Sequence, residues 1–567
     1  MSSLSSRTIG ARLTGIAVRE RAFPWADAGT LAALVAVQLL VIAVVAPRGN
    51  FGIDDDWTYA HGVTWLLREH VLRLSPWATA SVLPQTLLGG AVAALFGDSF
   101  EVLRHLTQTI AALAAFAAYA CLRVVRVSPR DAFVGALTLL SVPVWPILAN
   151  SFMSDVYGLL FALGAVALML RLFASFSWPL LVAAAILCAL GALERQIVVV
   201  VPVAFAIAWL WRPARLDLRK SLVALAPLAL TLAAMAAFEA YLAYGPGVPE
   251  GQRYVSERLT ATLVRLAHGD GSLWRQAGEN LVGIAGYLGW FTFGWFAWRG
   301  LPAHTGVRRV VICGAVALSI AALAIGWLPP YREQFVIDRA GIGPFTLYDA
   351  QPRGLASFDR SPGILWRIAG VGAACGVAAL AGLALATVKH FASMGWRSSP
   401  ERVFIAATIA GYVAPFAITD YFDRYLIYVV PLLFALWAMT WPAQSNDGRW
   451  RRALAGAWLL ASLAFGAMAT HDYFAWNRAR WDAIHYAESL GATLETLDGG
   501  YEYNGDRRLA HGMVERTQGK SWWWVKDDRY VVAFGMVPGY DEVRAFPVAR
   551  WLPRSPLVVR LLLRRAP

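Results

Sequence analysis

Long apolar stretches alternate with short polar ones along most of the chain, and the length of the apolar stretches is the first informative feature. A helix needs about 20 apolar residues to cross hydrocarbon, where no water can satisfy a backbone amide. The first such stretch covers about 30–46. It follows Arg7, Arg12, Arg19 and Arg21, and no small-residue cleavage site comes after it, so it reads as a retained signal anchor with a cytoplasmic N-terminus. Twelve more follow, near 102–122, 132–150, 156–171, 178–193, 197–211, 221–243, 280–298, 310–328, 365–387, 403–419, 425–441 and 453–469. The pattern therefore predicts an all-α polytopic protein of about thirteen spans. Between them lie three longer loops, at 47–101, 244–279 and 329–364. The first contains a 14-residue apolar stretch, Leu83 to Phe96, too short for a comfortable span and suited to an interfacial helix. After about residue 470 the pattern changes to alternating apolar and polar positions with Gly and Pro between them, as in "RYVVAFGMV". That change predicts two parts: a membrane domain over 1–469 and a small α/β domain over 470–567.

Composition agrees and charge adds orientation. The 567 residues are 58% hydrophobic and 15% charged, with a mean hydropathy of +0.51, which excludes an ordinary soluble enzyme. The net charge of +13 is a topology signal. Seven alternate polar segments, 1–26, 123–131, 171–178, 212–220, 299–309, 388–402 and 442–452, hold 21 Lys+Arg against 5 Asp+Glu, leaving 29 against 32 elsewhere. Basic residues favour the cytoplasm, so these segments lie inside and the long loops and tail outside, which in a bacterium is the periplasmic side of the inner membrane. Nothing in this distribution points to nucleic acid. Cys121, Cys188, Cys313 and Cys375 all fall within spans without CxxC spacing, so neither a disulfide framework nor a zinc site is indicated. No internal repeat, phosphate-binding loop or dinucleotide fingerprint is visible.

Ionisable residues at span ends are costly to bury, so they carry the chemical information. Four groups stand out, all on the outer side. Asp54, Asp55 and Asp56 precede Trp57 and Tyr59 in the first loop; Asp155 opens a span; Glu194, Arg195 and Gln196 interrupt an apolar stretch; Arg424 and Tyr425 begin a late span. Each has a plain structural reading: Asp54, Asp55, Asp56 and Asp155 as helix caps, Glu194 and Arg195 as a self-satisfying turn, Arg424 as a snorkelling side chain. The functional reading is an acidic general base beside aromatic side chains that face a sugar or headgroup, plus two guanidinium groups that grip a phosphate. A phosphate leaving group on a lipid fits that set.

At these residues the sequence resembles the GT-C superfamily of membrane glycosyltransferases, in the branch containing the aminoarabinose transferase of lipid A and the protein O-mannosyltransferases. The resemblance rests on "GIDDDWTY", "LFGDSFEVLRH", "SFMSDVYG", "ALERQ" and "DRYLIYVVPLL", with the tail motif "DYFAWNRARWDAI…LDGGYEYNG" similar to the tails of bacterial relatives. It implies that Asp55 is the catalytic aspartate with Asp56 beside it, in a run of three that leaves the register open by one. It also implies that Asp155, with Asp54, positions the acceptor or a metal, and that Arg424 and Tyr425 bind the donor phosphate. Lysines common among aminoarabinose relatives are replaced here by "ERQ", with Arg195 and Gln196 on the phosphate and Trp57 and Tyr59 touching substrate. The expected reaction is an inverting transfer from a polyprenyl-phosphate-linked sugar to a hydroxyl of a lipid, glycan or protein acceptor. No cofactor is required; Mg²⁺ or Mn²⁺ is compatible with the carboxylates. The rivals are a lipid-linked glycan polymerase or ligase and a polytopic lipid or glycan transporter. The loops at 244–279 and 329–364, with Tyr331, Tyr348 and Asp349, are expected to shape acceptor choice.

Overall fold

The computed structural model describes residues 25–213, 217–302, 304–332, 336–350, 363–396, 399–441, 448–511, 525–552 and 556–566. The arginines at 7–21 that set the expected orientation of the first span lie outside the described residues.

Each of the thirteen expected spans is met by helix. They are α1 (Trp25–Val45), α4 (Phe100–Val124), α5 and α6 (Pro129–Leu140, Trp145–Ala149), α7 (Asp155–Ala174), α8 (Trp178–Glu194), α9 (Val200–Leu210, led by a 3-10 turn Gln196–Val199) and α10 (Leu218–Tyr244). The remainder are α12 (Gly271–Arg299), α13 (Thr305–Ile325), α14 (Ile364–Met394), α15 (Pro400–Ile418), α16 (Val429–Thr440, led by a 3-10 turn Asp423–Tyr428) and α17 (Arg449–Ser489). Among the described residues, ten helices are long and apolar enough to cross a membrane unaided. The other three expected spans are shorter. The one expected at 132–150 is broken at Ser141–Val144, around Pro143, which cannot donate to a helical ladder, and Pro146 sits in the first turn of α6 where its missing N–H costs nothing. Those at 178–193 and 197–211 are the pair that turns at Arg195. Large apolar side chains on α13, such as Ile320 and Ile325, are mostly uncovered by protein (65% and 78% exposed), which suits a lipid environment and not water. Where α12 crosses α14 the backbones meet at Gly289 and Gly376: a Cβ on Gly376 would lie 2.0 Å from the Gly289 carbonyl oxygen.

The loops hold more structure than the apolar pattern reveals. In the first loop, α2 (Asp56–Arg68) precedes α3 (Leu83–Phe96), the interfacial-length helix expected there. Loop 244–279 forms α11 (Glu250–Ala267), whose start is tied to the first loop by Gly251 N donating to Pro76 O at 2.7 Å. Loop 329–364 contains a short hairpin of β1 (Ile337–Asp338) and β2 (Gly341–Ile342). Helix α17 continues without a break past residue 470, because its second half buries Tyr473, Trp476, Ile484 and Ala487 against the tail. The tail adds α18 (Tyr501–Ala510) and a four-stranded mixed sheet in the order β3-β4-β6-β5, with β3 (Leu497–Asp498), β4 (Tyr530–Ala533), β5 (Tyr540–Val548) and β6 (Leu557–Arg564). Only β3 and β4 run parallel. Trp476 on α17 meets Phe534 edge-on at 5.2 Å, so the sheet is seated on the extended helix. Tyr348 and Asp349 serve this seating: Tyr348 Oη donates to Asp528 at 2.9 Å, and Asp349 accepts from Phe534 N and Gly535 N at 2.9 and 2.8 Å. Tyr331 packs edge-on against Tyr287 of α12. The four cysteines are unpaired thiols.

Candidate active site

The segment joining α1 to α2 is held from beneath by Arg104 of α4. Its buried guanidinium donates to Gly49 O at 2.5 Å and to Phe51 O, and it lies over the rings of Phe51 and Phe474. Thus anchored, the chain turns at Asp54, which adopts φ +52°, a left-handed conformation that Asp tolerates better than most residues. This turn sends the three consecutive carboxylates in different directions.

Asp56 points inward. It is fully buried, accepting from Ile53 N at 2.7 Å and Phe152 N at 3.4 Å. Burial pushes its carboxyl up to about 7, against the pull of Arg104 and the two amides. Asp54 and Asp55 point the other way, onto Arg424. Arg424 Nη1 donates to Asp54 at 2.6 Å and Nη2 to Asp55 at 3.4 Å. Burial and the neighbouring Asp55 raise Asp54, while Arg424 opposes them. Asp55 is the most solvent-reached of the three, with its side chain 35% exposed, and its other oxygen accepts from Tyr501 Oη at 2.8 Å. It stands at the N-cap of α2 but makes no side-chain cap.

Asp155 lies between the two arginines. Arg195 Nη1 donates to its Oδ1 at 2.5 Å, and its Oδ2 is 4.0 Å from Arg424 Nε; neither of those last two atoms has another hydrogen-bond partner among the described residues. Arg195 is presented by the turn between α8 and the 3-10 lead of α9, where its backbone is extended. Glu194 does not pair with it. It accepts instead from Gln85 N at 2.9 Å, while its carbonyl takes Val82 N, so it caps α3. The guanidinium groups of Arg195 and Arg424 sit 4.7 and 5.7 Å from the ring centre of Tyr425, and Tyr428 Oη donates to Asp155 O at 3.0 Å. Tyr59, buried on α2, faces the same group; burial first and Asp55 second push its phenol up, so it remains a hydrogen-bond donor.

The fold therefore brings Asp54, Asp55, Asp155, Arg195, Arg424, Tyr425 and Tyr59 to one place from four separate stretches of chain. Asp56 belongs to the floor. Gln196 opens the 3-10 turn half-buried and makes no hydrogen bond to Asp155 or to either arginine. Trp57 is fully buried, packed on Gly505 and edge-on to Tyr501, so it forms a wall of the site and not an open platform. The sequence reading missed the contribution of the tail. Besides Tyr501, Glu502 of α18 reaches the acidic turn, accepting from Asp54 N at 3.3 Å while Arg480 of α17 pairs with it at 2.5 Å. The motif "GGYEYNG" was the available signal. Among the described residues, no three His, Cys, Asp or Glu side chains are gathered as metal ligands would be. Next to Tyr428, a narrow apolar crevice lined by Leu159, Leu163, Val201, Tyr412 and Leu432 runs between α7, α9, α15 and α16.

Residues 86–241 match the family described as dolichyl-phosphate-mannose-protein mannosyltransferase. The match takes in Asp155, Glu194 and Arg195. It bears out the resemblance to the protein O-mannosyltransferase branch and supports a membrane glycosyltransferase. Two of the solved structures similar to the chain are forms of one protein. ArnT from Cupriavidus metallidurans bound to undecaprenyl phosphate is 14% identical, with 94% of this chain and 98% of that chain covered and a TM-score of 0.41. The apo form is 15% identical, with the same coverage and a TM-score of 0.39. No curated protein matches.

Proposed function

We propose that the chain is an inverting glycosyltransferase that moves a sugar from a polyprenyl-phosphate donor to an acceptor hydroxyl at the outer face of a bacterial inner membrane. The observation that carries this reading is the placement of Arg195 and Arg424 on either side of Asp155, with Arg424 also against Asp55. Guanidinium groups match phosphate oxygens in a bidentate way and stay charged. In the proposed step, Asp55 accepts the acceptor's O–H proton and the freed oxygen forms a bond to the anomeric carbon from the face opposite the phosphate. The anomeric C–O bond to phosphate breaks, and its electron pair leaves on the polyprenyl phosphate. Arg195 and Arg424 offset that charge, a contribution that rises as the bond breaks and so lowers the barrier.

Three carboxylates beside two guanidiniums leave an excess negative charge before the donor arrives. Asp54, raised by burial, is suited to carry a proton and relieve it. Asp155 then holds Arg195 in place, and Tyr59 donates to the sugar or the phosphate. The guanidiniums supply the charge that a divalent cation supplies elsewhere, so we expect transfer to persist in a chelator. The N-terminus is assigned to the cytoplasm and the tail to the periplasm, and a reporter fused after Pro567 tests that orientation.

The deciding experiment is sugar transfer in membranes by Asp55→Asn and Asp56→Asn. The first should lose transfer, and the second should retain it if it folds. Wild-type transfer by Asp55→Asn sinks the assignment.

A further inference from the structure

A second polar pocket, of about 240 Å³, lies between α2, the start of α4 and α18. On α2, Tyr59 and His61 are two residues apart and so point to nearly opposite faces of the helix. The pocket is thus on the far face from the arginines, and at a rise of ~1.5 Å per residue it begins about 9 Å along the helix from Asp55. It is not another view of the phosphate site.

Its walls have a definite chemistry. His61 Nε2 stands 3.2 Å from Asp506 without a well-aligned hydrogen bond. Asp98 accepts from Thr64 Oγ1 at 3.0 Å and pairs with Arg68 at 3.4 Å. Trp481, 8% exposed, forms an apolar wall with its Nε1 unpartnered, and Arg507 lies over the ring at 5.9 Å. Two aspartates balance two arginines, so an anion entering the pocket meets carboxylates as well as guanidiniums. A neutral ligand with many hydroxyls meets acceptors at Asp98 and Asp506 and donors at Arg68 and Arg507, while Trp481, stacked on Phe51, closes the back of the pocket.

We infer that this pocket is a saccharide subsite, which holds a neutral sugar unit of the acceptor away from the hydroxyl that reacts. Calling that sugar part of the acceptor rests on the transferase reading above; the binding itself does not. Saturation-transfer NMR on the full-length protein in lipid nanodiscs, with mannobiose, galactobiose and N,N′-diacetylchitobiose as probes and glucose 6-phosphate as the anionic comparison, tests it. At least one neutral disaccharide should bind saturably. Asp506→Asn and Asp98→Asn should each weaken that binding about tenfold, as expected for the loss of one hydrogen bond to a charged group. Thr64→Val, which removes a hydroxyl from the same wall, gives a third variant should either Asn variant fail to fold. The inference is overturned if none of the three disaccharides binds, if binding is unchanged in the folded variants, or if glucose 6-phosphate displaces them. Loss of transfer in Asp55→Asn with no disaccharide binding removes only the subsite. Disaccharide binding by a wild-type protein that transfers no sugar removes only the transferase reading, and transfer intact in Asp55→Asn removes only the assignment of Asp55 as the base.

Discussion

Replacing Arg424 by lysine keeps the charge and removes the geometry. In the native site one guanidinium, only 4% exposed, spans Asp54 at 2.6 Å and Asp55 at 3.4 Å with Asp155 at 4.0 Å. A lysine ammonium is a single point on a flexible stem and cannot bridge three carboxylates or present two parallel donors to a phosphate. Loss of one well-placed donor to a developing oxyanion costs about 2.7–4 kcal/mol, or 10²–10³ in kcat. Because the charge remains, Arg424→Lys should fall near the lower end, roughly 10²-fold. Arg424→Gln is the less clean variant: it leaves buried carboxylates uncompensated, and breaking such a pair costs about 3–5 kcal/mol of stability. The assay is the initial rate of transfer from a polyprenyl-phosphate-linked sugar by protein in nanodiscs, with thermal melting measured in parallel. The loss should appear in kcat more than in KM, since the interaction strengthens as the phosphate leaves. A kcat for Arg424→Lys within about threefold of wild type, at native melting temperature, refutes the reasoning.

Three further outcomes follow from the same geometry. Asp56 rises from 3.8 to about 7 on folding, so the folded state holds an extra proton between those values: its contribution is complete below about pH 4 and is lost as pH rises through 7. That amounts to at most about 4 kcal/mol; melting should fall between about pH 4 and 7, and an Asp56→Asn variant with an undiminished slope counts against it. Gly505→Ala would place a Cβ 2.5 Å from the Trp57 ring, an overpacking of about 1–3 kcal/mol that pushes α18 outward. Melting and transfer should decline together, and unchanged transfer would argue against a role for α18 in holding Asp55. Glu502→Gln strands the buried Arg480 at a cost of about 3–5 kcal/mol, visible as a lower melting temperature that the double change Arg480→Met/Glu502→Met partly restores.

The thirteen helical segments were legible because each must satisfy its own backbone in lipid, which leaves an apolar run of fixed minimum length in the sequence. Such a run reports length and not continuity: the break at Ser141–Val144 and the extension of α17 to Ser489 depend on proline positions and on burial against the tail. Helix α11 leaves no apolar run in the sequence because its apolar residues, such as Val255, Leu259 and Leu263, are interspersed with charged and polar ones, and it is largely exposed.

The candidate residues were visible for a related reason. An ionisable group at a span end carries a desolvation cost, so Asp155, Arg195 and Arg424 stand out from their apolar neighbours along the chain. Which of three adjacent aspartates does what was a matter of backbone direction. The left-handed turn at Asp54 turns Asp56 into the floor and sets Asp55 toward Arg424. Tyr501 and Glu502 meet Asp55 and Asp54 across more than 440 positions of sequence. Local patterning carries no trace of such a pairing, because it exists only once α17 and the tail fold back over the first loop. The linear pattern of the chain thus specifies the membrane architecture and its charged outliers, through constraints that act residue by residue. Which of those charges face one another is settled by the packing of distant segments, because a charge's partner is set by distance in space.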